Sequence, residues 1–315
     1  MVITYSEIIE YLNDTKTNYY VDNIVSLSSD NKFNFASTKN VIKNGFYYIE
    51  RGFDYFINEI SNSIVLTNSK TLKSENNTII YLEKPQLVHY KLASIREEPI
   101  KSGIHVTAIV SDKSKISKSA YIGPFCIIEE CEIGENVQLL SNIRVNNNTV
   151  IKKGTVIESN CVIGARGMAW IWDESGNRIM QPQTGGVIIE ENCLIGTDVS
   201  IVRGSLTENT QIGNHTVIAH GTKIGHGSNI GTYVHIANNV SLAGNAKIGD
   251  RTFLGSACVV SSNVEIASNC LVGAGAVVSH NMLQEYATIV GVPARIIKVN
   301  NFENKPKGAP KPFKK

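Results

Sequence analysis

From Ile212 to Val278 a large aliphatic residue returns at every sixth position, twelve times without a miss. The series is Ile212, Ile218, Ile224, Ile230, Ile236, Leu242, Ile248, Leu254, Val260, Ile266, Val272 and Val278. A helix would repeat its apolar face at about 3.6 residues and a half-buried strand at about 2. A short fixed period of another length marks a solenoid, whose units bury their apolar faces only by stacking on one another.

A second series accompanies the first. Four residues after each anchor sits a small or β-branched residue, as at Thr216, Thr222, Ser228, Val234, Ala246 and Cys258. One large and one small interior side chain per hexad suit the inside of a narrow triangular coil. Three hexads close one coil, so residues eighteen apart stack at about 4.8 Å, one strand spacing. The expected fold is mainly β, a parallel β-helix of roughly eight coils preceded by a small α/β domain. The beat starts raggedly near Val110 and breaks twice, at residues 165–186 and at Ser205–Asn209. A long break inside a solenoid is usually an excursion on a binding face. The first holds both tryptophans, Trp170 and Trp172.

Composition narrows the function. A net charge of +2 gives no basic face for nucleic acid. No run of about eighteen apolar residues suggests a membrane span. The N-terminus lacks a signal-peptide pattern, so a cytoplasmic protein is expected. Five of the six cysteines (Cys126, Cys161, Cys193, Cys258 and Cys270) fall in the small interior slot and read as core residues. Residues 1–103 lack the beat. SEIIEYL reads as a helix, SIVLT and TIIYL as strands, and Lys84–Ser94 as a helix with Pro in its first turn. The solenoid is expected over 104–280, a closing segment over 281–300, and a disordered basic tail over 301–315.

Four of the seven histidines lie between positions 215 and 235: His215, His220, His226 and His235. His226 stands two residues after an anchor, outside the interior, and Gly244 occupies the same slot eighteen residues later. The two should share one corner column. An imidazole beside a glycine N–H suits acyl transfer: the first takes a proton from an attacking amine, and the second meets the oxyanion. Asn238, eighteen residues after His220, falls on the neighbouring column. A set of solvated corner histidines is the plainer reading.

The stretch TKIGHGSNIGTYVHIANNVSLAGNAKIGD resembles the catalytic segment of the lipid A acyltransferases, with His226 at the general-base position and Gly244 at the oxyanion position. GARGMAWIWDESGNRIMQPQTGG and TIIYLEKPQLVHYKLASI resemble the family that N-acylates UDP-3-O-acylglucosamine, the second matching the end of its uridine-binding domain. The resemblance covers about residues 1–280. It implies a left-handed coil, a homotrimer with sites in clefts between subunits, and an aromatic pair stacked on uracil. In FYYIERGFDYF that pair is placed at Tyr48 and Tyr55, with Phe46, Tyr47 and Phe53 as alternatives. His220, His235 and Asn238 become candidate substrate-binding residues. Trp170 and Trp172 read equally well as pocket walls or as trimer packing.

Two departures qualify the resemblance. Ile201-Val202-Arg203-Gly204 stands where the family has I-D-R-G, so an acid near the site is missing. The ending GVPARIIK resembles acetyl-CoA-dependent hexapeptide acetyltransferases in place of a long helical extension, which puts Gly255 and Arg295 near a CoA donor. The function expected is N-acetylation, from acetyl-CoA, of a nucleotide-linked amino sugar for a surface polysaccharide, with no metal. The alternative is acyl-ACP-dependent acylation of UDP-3-O-acylglucosamine in lipid A biosynthesis. A zinc site using His215 and His220 lacks an evident third ligand.

Overall fold

A computed structural model describes residues 1–22, 31–96 and 100–301. The basic tail from 302 onward and part of the linker REEPIKSG (97–99) lie outside the described residues. Chain contacts divide the protein into two units, Met1–Pro99 and Ile100–Lys315.

Among the described residues the first unit is a six-stranded sheet with two α-helices and a short 3-10 helix, Asp54–Glu59. The sheet runs, edge to edge, Val2–Thr4, Lys32–Phe35, Gly45–Ile49, Ile64–Thr67, Thr78–Leu82 and Tyr19–Asp22. Its three central strands pair in parallel and read as apolar runs because both sides are covered. Helix α1 (Tyr5–Asp14) is started by a capping box: the Glu7 N–H donates to Thr4 Oγ1, and the Thr4 N–H donates to the Glu7 carboxylate. It buries Ile8 and Leu12, one helical turn apart. Helix α2 (Pro85–Ser94) places Pro85 in its first turn, where no N–H is needed.

The second unit is a left-handed parallel β-helix. Its three faces carry eleven, nine and eight strands, so the sequence estimate of eight coils matches only the shortest. The first face gains Gly103–Ile104 at its base. At its far end it gains Ala287–Gly291 and Ala294–Val299, a hairpin whose second strand runs antiparallel. The chain passes from first to second to third face in each coil. Register follows the eighteen-residue repeat: Ile218 pairs with Ile236, Ile224 with Leu242, and Ile230 with Ile248. These anchors are buried.

Two devices make the narrow coil stable. Three residues after most anchors the backbone turns through the left-handed region, and asparagine holds many of these corners, among them Asn239, Asn245, Asn263 and Asn269. Asparagine tolerates that region better than other residues with a side chain beyond Cβ. The small interior slot also admits hydroxyls, because each finds an acceptor. Thr216 donates to the Gly231 carbonyl at 2.9 Å and Thr252 to the Ala267 carbonyl at 3.0 Å. All six cysteines are buried free thiols. Burial raises the Cys258 thiol to about 12 and those of Cys161, Cys193 and Cys270 to about 11.

Candidate active site

The edge between the second and third faces gathers the chemistry. Strand Lys223–Ile224 leaves the second face, turns through His226, and enters the third face as Asn229–Ile230. One coil on, Ser241–Leu242 turns through Gly244 into Lys247–Ile248. The pairing of Ile224 with Leu242 sets His226 against Gly244. The imidazole lies flush against the glycine: a Cβ on Gly244 would be 2.7 Å from His226 Cε1 and 2.9 Å from Cδ2, with Nε2 nearest of all. Gly225 is under a similar constraint, since a Cβ there would lie 2.6 Å from the Gly244 nitrogen.

The N–H groups flanking Gly244 are used inside the coil. Ala243 donates to the Val260 carbonyl at 2.9 Å and Asn245 to the His226 carbonyl at 2.7 Å. Among the described residues nothing accepts from the Gly244 N–H. A base and an unpaired N–H are thus set side by side at a half-exposed corner.

Both breaks in the beat emerge on this same edge. The first leaves the second face after Val162–Ala165 and rejoins the third at Gly186–Ile189. The second spans the gap between Ser200–Val202 and Asn209–Ile212. The two are tied together: the Thr184 N–H donates to the Ser205 carbonyl at 2.7 Å, and Thr184 Oγ1 donates to the Leu206 carbonyl at 2.9 Å. The first excursion carries a small exposed hairpin, Trp170–Trp172 against Arg178–Met180. Its indoles meet edge to face at 4.7 Å, with the Arg178 guanidinium 4.9 Å from one ring centre and 5.6 Å from the other. Arg203, buried where the family acid is missing beside it, donates from Nε to the Gly164 carbonyl at 2.8 Å and braces the start of the excursion.

Ser205 of the second excursion reaches His226 and Glu208 holds Ser205; neither was singled out from sequence. Ser205 is buried, and its Oγ lies 3.2 Å from His226 Nδ1. Glu208 accepts from the backbone N–H groups of Ser205 at 2.9 Å and Leu206 at 3.1 Å. Backbone donors around the Glu208 carboxylate hold its pKa down to about 2. The available signal was positional: folding the chain at eighteen residues per coil puts the SLTEN break one coil below His226.

The other candidates stand elsewhere on the β-helix. His220, Asn238 and Gly255 occupy the edge between the first and second faces. His220 Nδ1 accepts from the Thr197 N–H at 2.9 Å, which leaves the proton of its neutral form on Nε2. The Gly255 N–H is spent on the Val272 carbonyl at 2.8 Å. His235 lies on the first face with its ring against Phe253 at 5.1 Å, and burial lowers its pKa. Arg295 is exposed in the terminal hairpin, donating to the Ala294 carbonyl at 2.8 Å. His215 is on the third edge, stacked flat on Tyr233 at 4.7 Å. His215 and His220 are thus on different edges, and among the described residues no three His, Cys, Asp or Glu side chains converge as metal ligands.

The N-terminal unit has its own cavity, of about 490 Å³, lined by Tyr48, Phe53, Tyr55, Phe56, Gln86 and Tyr90 among others. Tyr48 and Tyr90 hydroxyls are 3.4 Å apart, and Gln86 Nε2 donates to both, at 3.3 and 3.2 Å. Two of the alternatives for a base-stacking pair are corrected by burial. Phe46 is fully buried and stacks on His89 at 4.8 Å. Tyr47 is fully buried with its hydroxyl donating to the Ile42 carbonyl at 2.9 Å. Phe53 and Tyr55 are exposed. The alternation of strand Gly45–Ile49 sends Tyr48 to one side of the sheet and Tyr47 to the other.

Known proteins resemble this chain in sequence and in fold. A family model described as bacterial transferase hexapeptide (six repeats) matches residues 245–280, and one described as hexapeptide repeat of succinyl-transferase matches 186–218. The UDP-3-O-acylglucosamine N-acyltransferase of Coxiella burnetii is 28% identical over 189 residues, 53% of this chain and 55% of that one. The enzyme of the same name from Hydrogenovibrio crunogenus is 25% identical over 168 residues, 47% of this chain and 48% of that one. The chain spans about half the length of the curated relatives it matches. Among solved structures, LpxA from Acinetobacter baumannii superposes with a TM-score of 0.56 at 27% identity, covering 62% of this chain and 74% of that one. The UDP-N-acetylglucosamine O-acyltransferase of Moraxella catarrhalis gives 0.58 at 26% identity, covering 64% and 76%.

Proposed function

We propose that this chain, a hexapeptide-repeat protein resembling the lipid A acyltransferases, transfers an acyl group from a thioester to the amine of a UDP-linked sugar. The observation that carries the reading is His226 lying against Gly244, whose N–H is unpaired among the described residues. The neutral amine attacks the thioester carbonyl, and the C–N bond forms as His226 Nε2 takes the amine proton. The Gly244 N–H stabilises the tetrahedral oxyanion. The C–S bond then breaks, and the departing thiolate recovers the proton from His226.

The substrates follow the relatives' names rather than the C-terminal segment. The relatives named UDP-3-O-acylglucosamine N-acyltransferase support an acceptor of that class, and the lipid A resemblance favours acyl-ACP as the donor. The acetyl-CoA donor expected from GVPAR, with Gly255 and Arg295 as its contacts, is not supported by these relatives. The cavity bearing Tyr48 and Tyr55 suits the uracil, with the aromatic faces supplying stacking. A homotrimer is the assembly we infer; the exposed Trp170, Ile171, Trp172 and Ile179 fit burial between subunits. No helix among the described residues is long and apolar enough to cross a membrane. Six unpaired thiols fit a reducing compartment, and we place the reaction in the cytoplasm.

The test is a donor and acceptor assay on the purified protein. UDP-3-O-acylglucosamine with acyl-ACP is expected to give an amide product, and acetyl-CoA little or none. Turnover with acetyl-CoA alone would return the donor assignment to the C-terminal signal. No product from any UDP-amino sugar would contradict the reading.

A further inference from the structure

A histidine acting as base through Nε2 must carry its resting proton on Nδ1. Imidazole free in water prefers the other tautomer, so a protein that relies on Nε2 needs an acceptor at Nδ1. The resemblance supplies none here, and the acid of the family's I-D-R-G segment is replaced by Val202.

We infer that Ser205 and Glu208 are positioning residues that set the tautomer of His226, with Glu208 holding the Ser205 hydroxyl proton and Ser205 Oγ accepting from Nδ1–H. Ser205 Oγ is the group 3.2 Å from Nδ1. A serine hydroxyl can either donate or accept there, and the direction decides which nitrogen is free. Glu208 biases that choice. Its carboxylate receives the Ser205 and Leu206 N–H groups at 2.9 and 3.1 Å, which seats it beside Ser205. With the hydroxyl proton drawn to the carboxylate, the Oγ lone pair faces Nδ1. Nδ1–H then donates to Oγ, and Nε2 is left unprotonated at the end of the ring that abuts Gly244.

The excursion backbone fixes this geometry. Ser205 is buried, its carbonyl accepts from Thr184, and its N–H is held by Glu208. No proton leaves Nδ1 during the reaction; the relay orients and does not transfer. The inference rests on the acyl-transfer reading for its purpose but not for its test.

The test is long-range proton–nitrogen NMR on the full-length protein labelled with ¹⁵N-histidine, at a pH where His226 is neutral. The His226 signals are assigned by their loss in His226→Ala. The wild type is expected to show Nδ1–H. Ser205→Ala is expected to move the ring toward Nε2–H, Ser205→Thr to restore Nδ1–H, and Glu208→Gln to lower the Nδ1–H share. In the acyl-transfer assay kcat should fall on the order of 10- to 100-fold in Ser205→Ala, recover in Ser205→Thr, and leave KM for the UDP-sugar unchanged. An Nε2–H ring in the wild type, or an unchanged tautomer in Ser205→Ala, would overturn the relay whatever the activity. A tautomer shift in a protein with no turnover on any UDP-amino sugar would uphold the relay and sink the acyl-transfer reading instead.

Discussion

At the residue scale the site depends on a side chain that is absent. Gly244 lets the His226 ring lie flat against backbone, and a single methyl would occupy that space. Gly244→Ala is expected to push the half-exposed imidazole outward while the coil persists. Turnover should fall on the order of 10²-fold, as for a misplaced reacting group, with far-UV circular dichroism unchanged. Glu208 gives a pH signature. Its folded pKa of about 2 lies below the 4.5 of an ordinary glutamate, so its anchoring of Ser205 is fully present above about pH 4.5. That anchoring is lost as pH falls through about 2. A carboxyl-carbon NMR titration should find one glutamate near 2, and Glu208→Gln should remove it. Of this site, His226 and Gly244 are legible because the eighteen-residue repeat alone places them in one column. Ser205 is legible only to its segment: the repeat puts the break one coil below His226, but inside the break period carries no register.

At the scale of elements the repeat is legible wherever interior sterics impose it and illegible where they do not. Anchors such as Ile236 and Leu254 have no alternative to the coil interior, and their spacing announces it. The corner asparagines are equally readable once the left-handed turn is seen. Asn269, with φ of 61°, holds a corner on the third-to-first edge. Asn269→Ile should cost roughly 1–2 kcal/mol, read as a lower denaturant midpoint, with turnover retained. The excursion at 165–186 shows the opposite case. Its length marks an excursion, but its paired indoles under Arg178 follow from a local hairpin that no hexad pattern encodes. In the N-terminal unit two of the six strands stand out in sequence, because Ile64–Thr67 and Thr78–Leu82 are continuous β-branched and aliphatic runs. Lys32–Phe35 and Tyr19–Asp22 are short and mixed in character, and only pairing defines them.

At the scale of the whole molecule, the proposed function draws on both units. The N-terminal unit carries a cavity lined by aromatic residues, and the β-helix sets the His226 imidazole against Gly244 on one edge. If the first serves the acceptor's nucleotide, Tyr55→Ala should weaken UDP binding by about 1–2 kcal/mol, the size of a lost stacking partner. Calorimetry with UDP should find that loss, and the β-helix should melt as before. The hairpin Ala287–Val299 extends the first face of the β-helix, and the donor is decided by assay and not by the shape of that hairpin. The most direct test of the account is mass spectrometry of the product formed by wild type and by His226→Ala from UDP-3-O-acylglucosamine and acyl-ACP. The account predicts an amide-linked acyl product from the wild type and a rate lower by about 10²–10⁴-fold from a folded His226→Ala. Equal rates from the two proteins would contradict it.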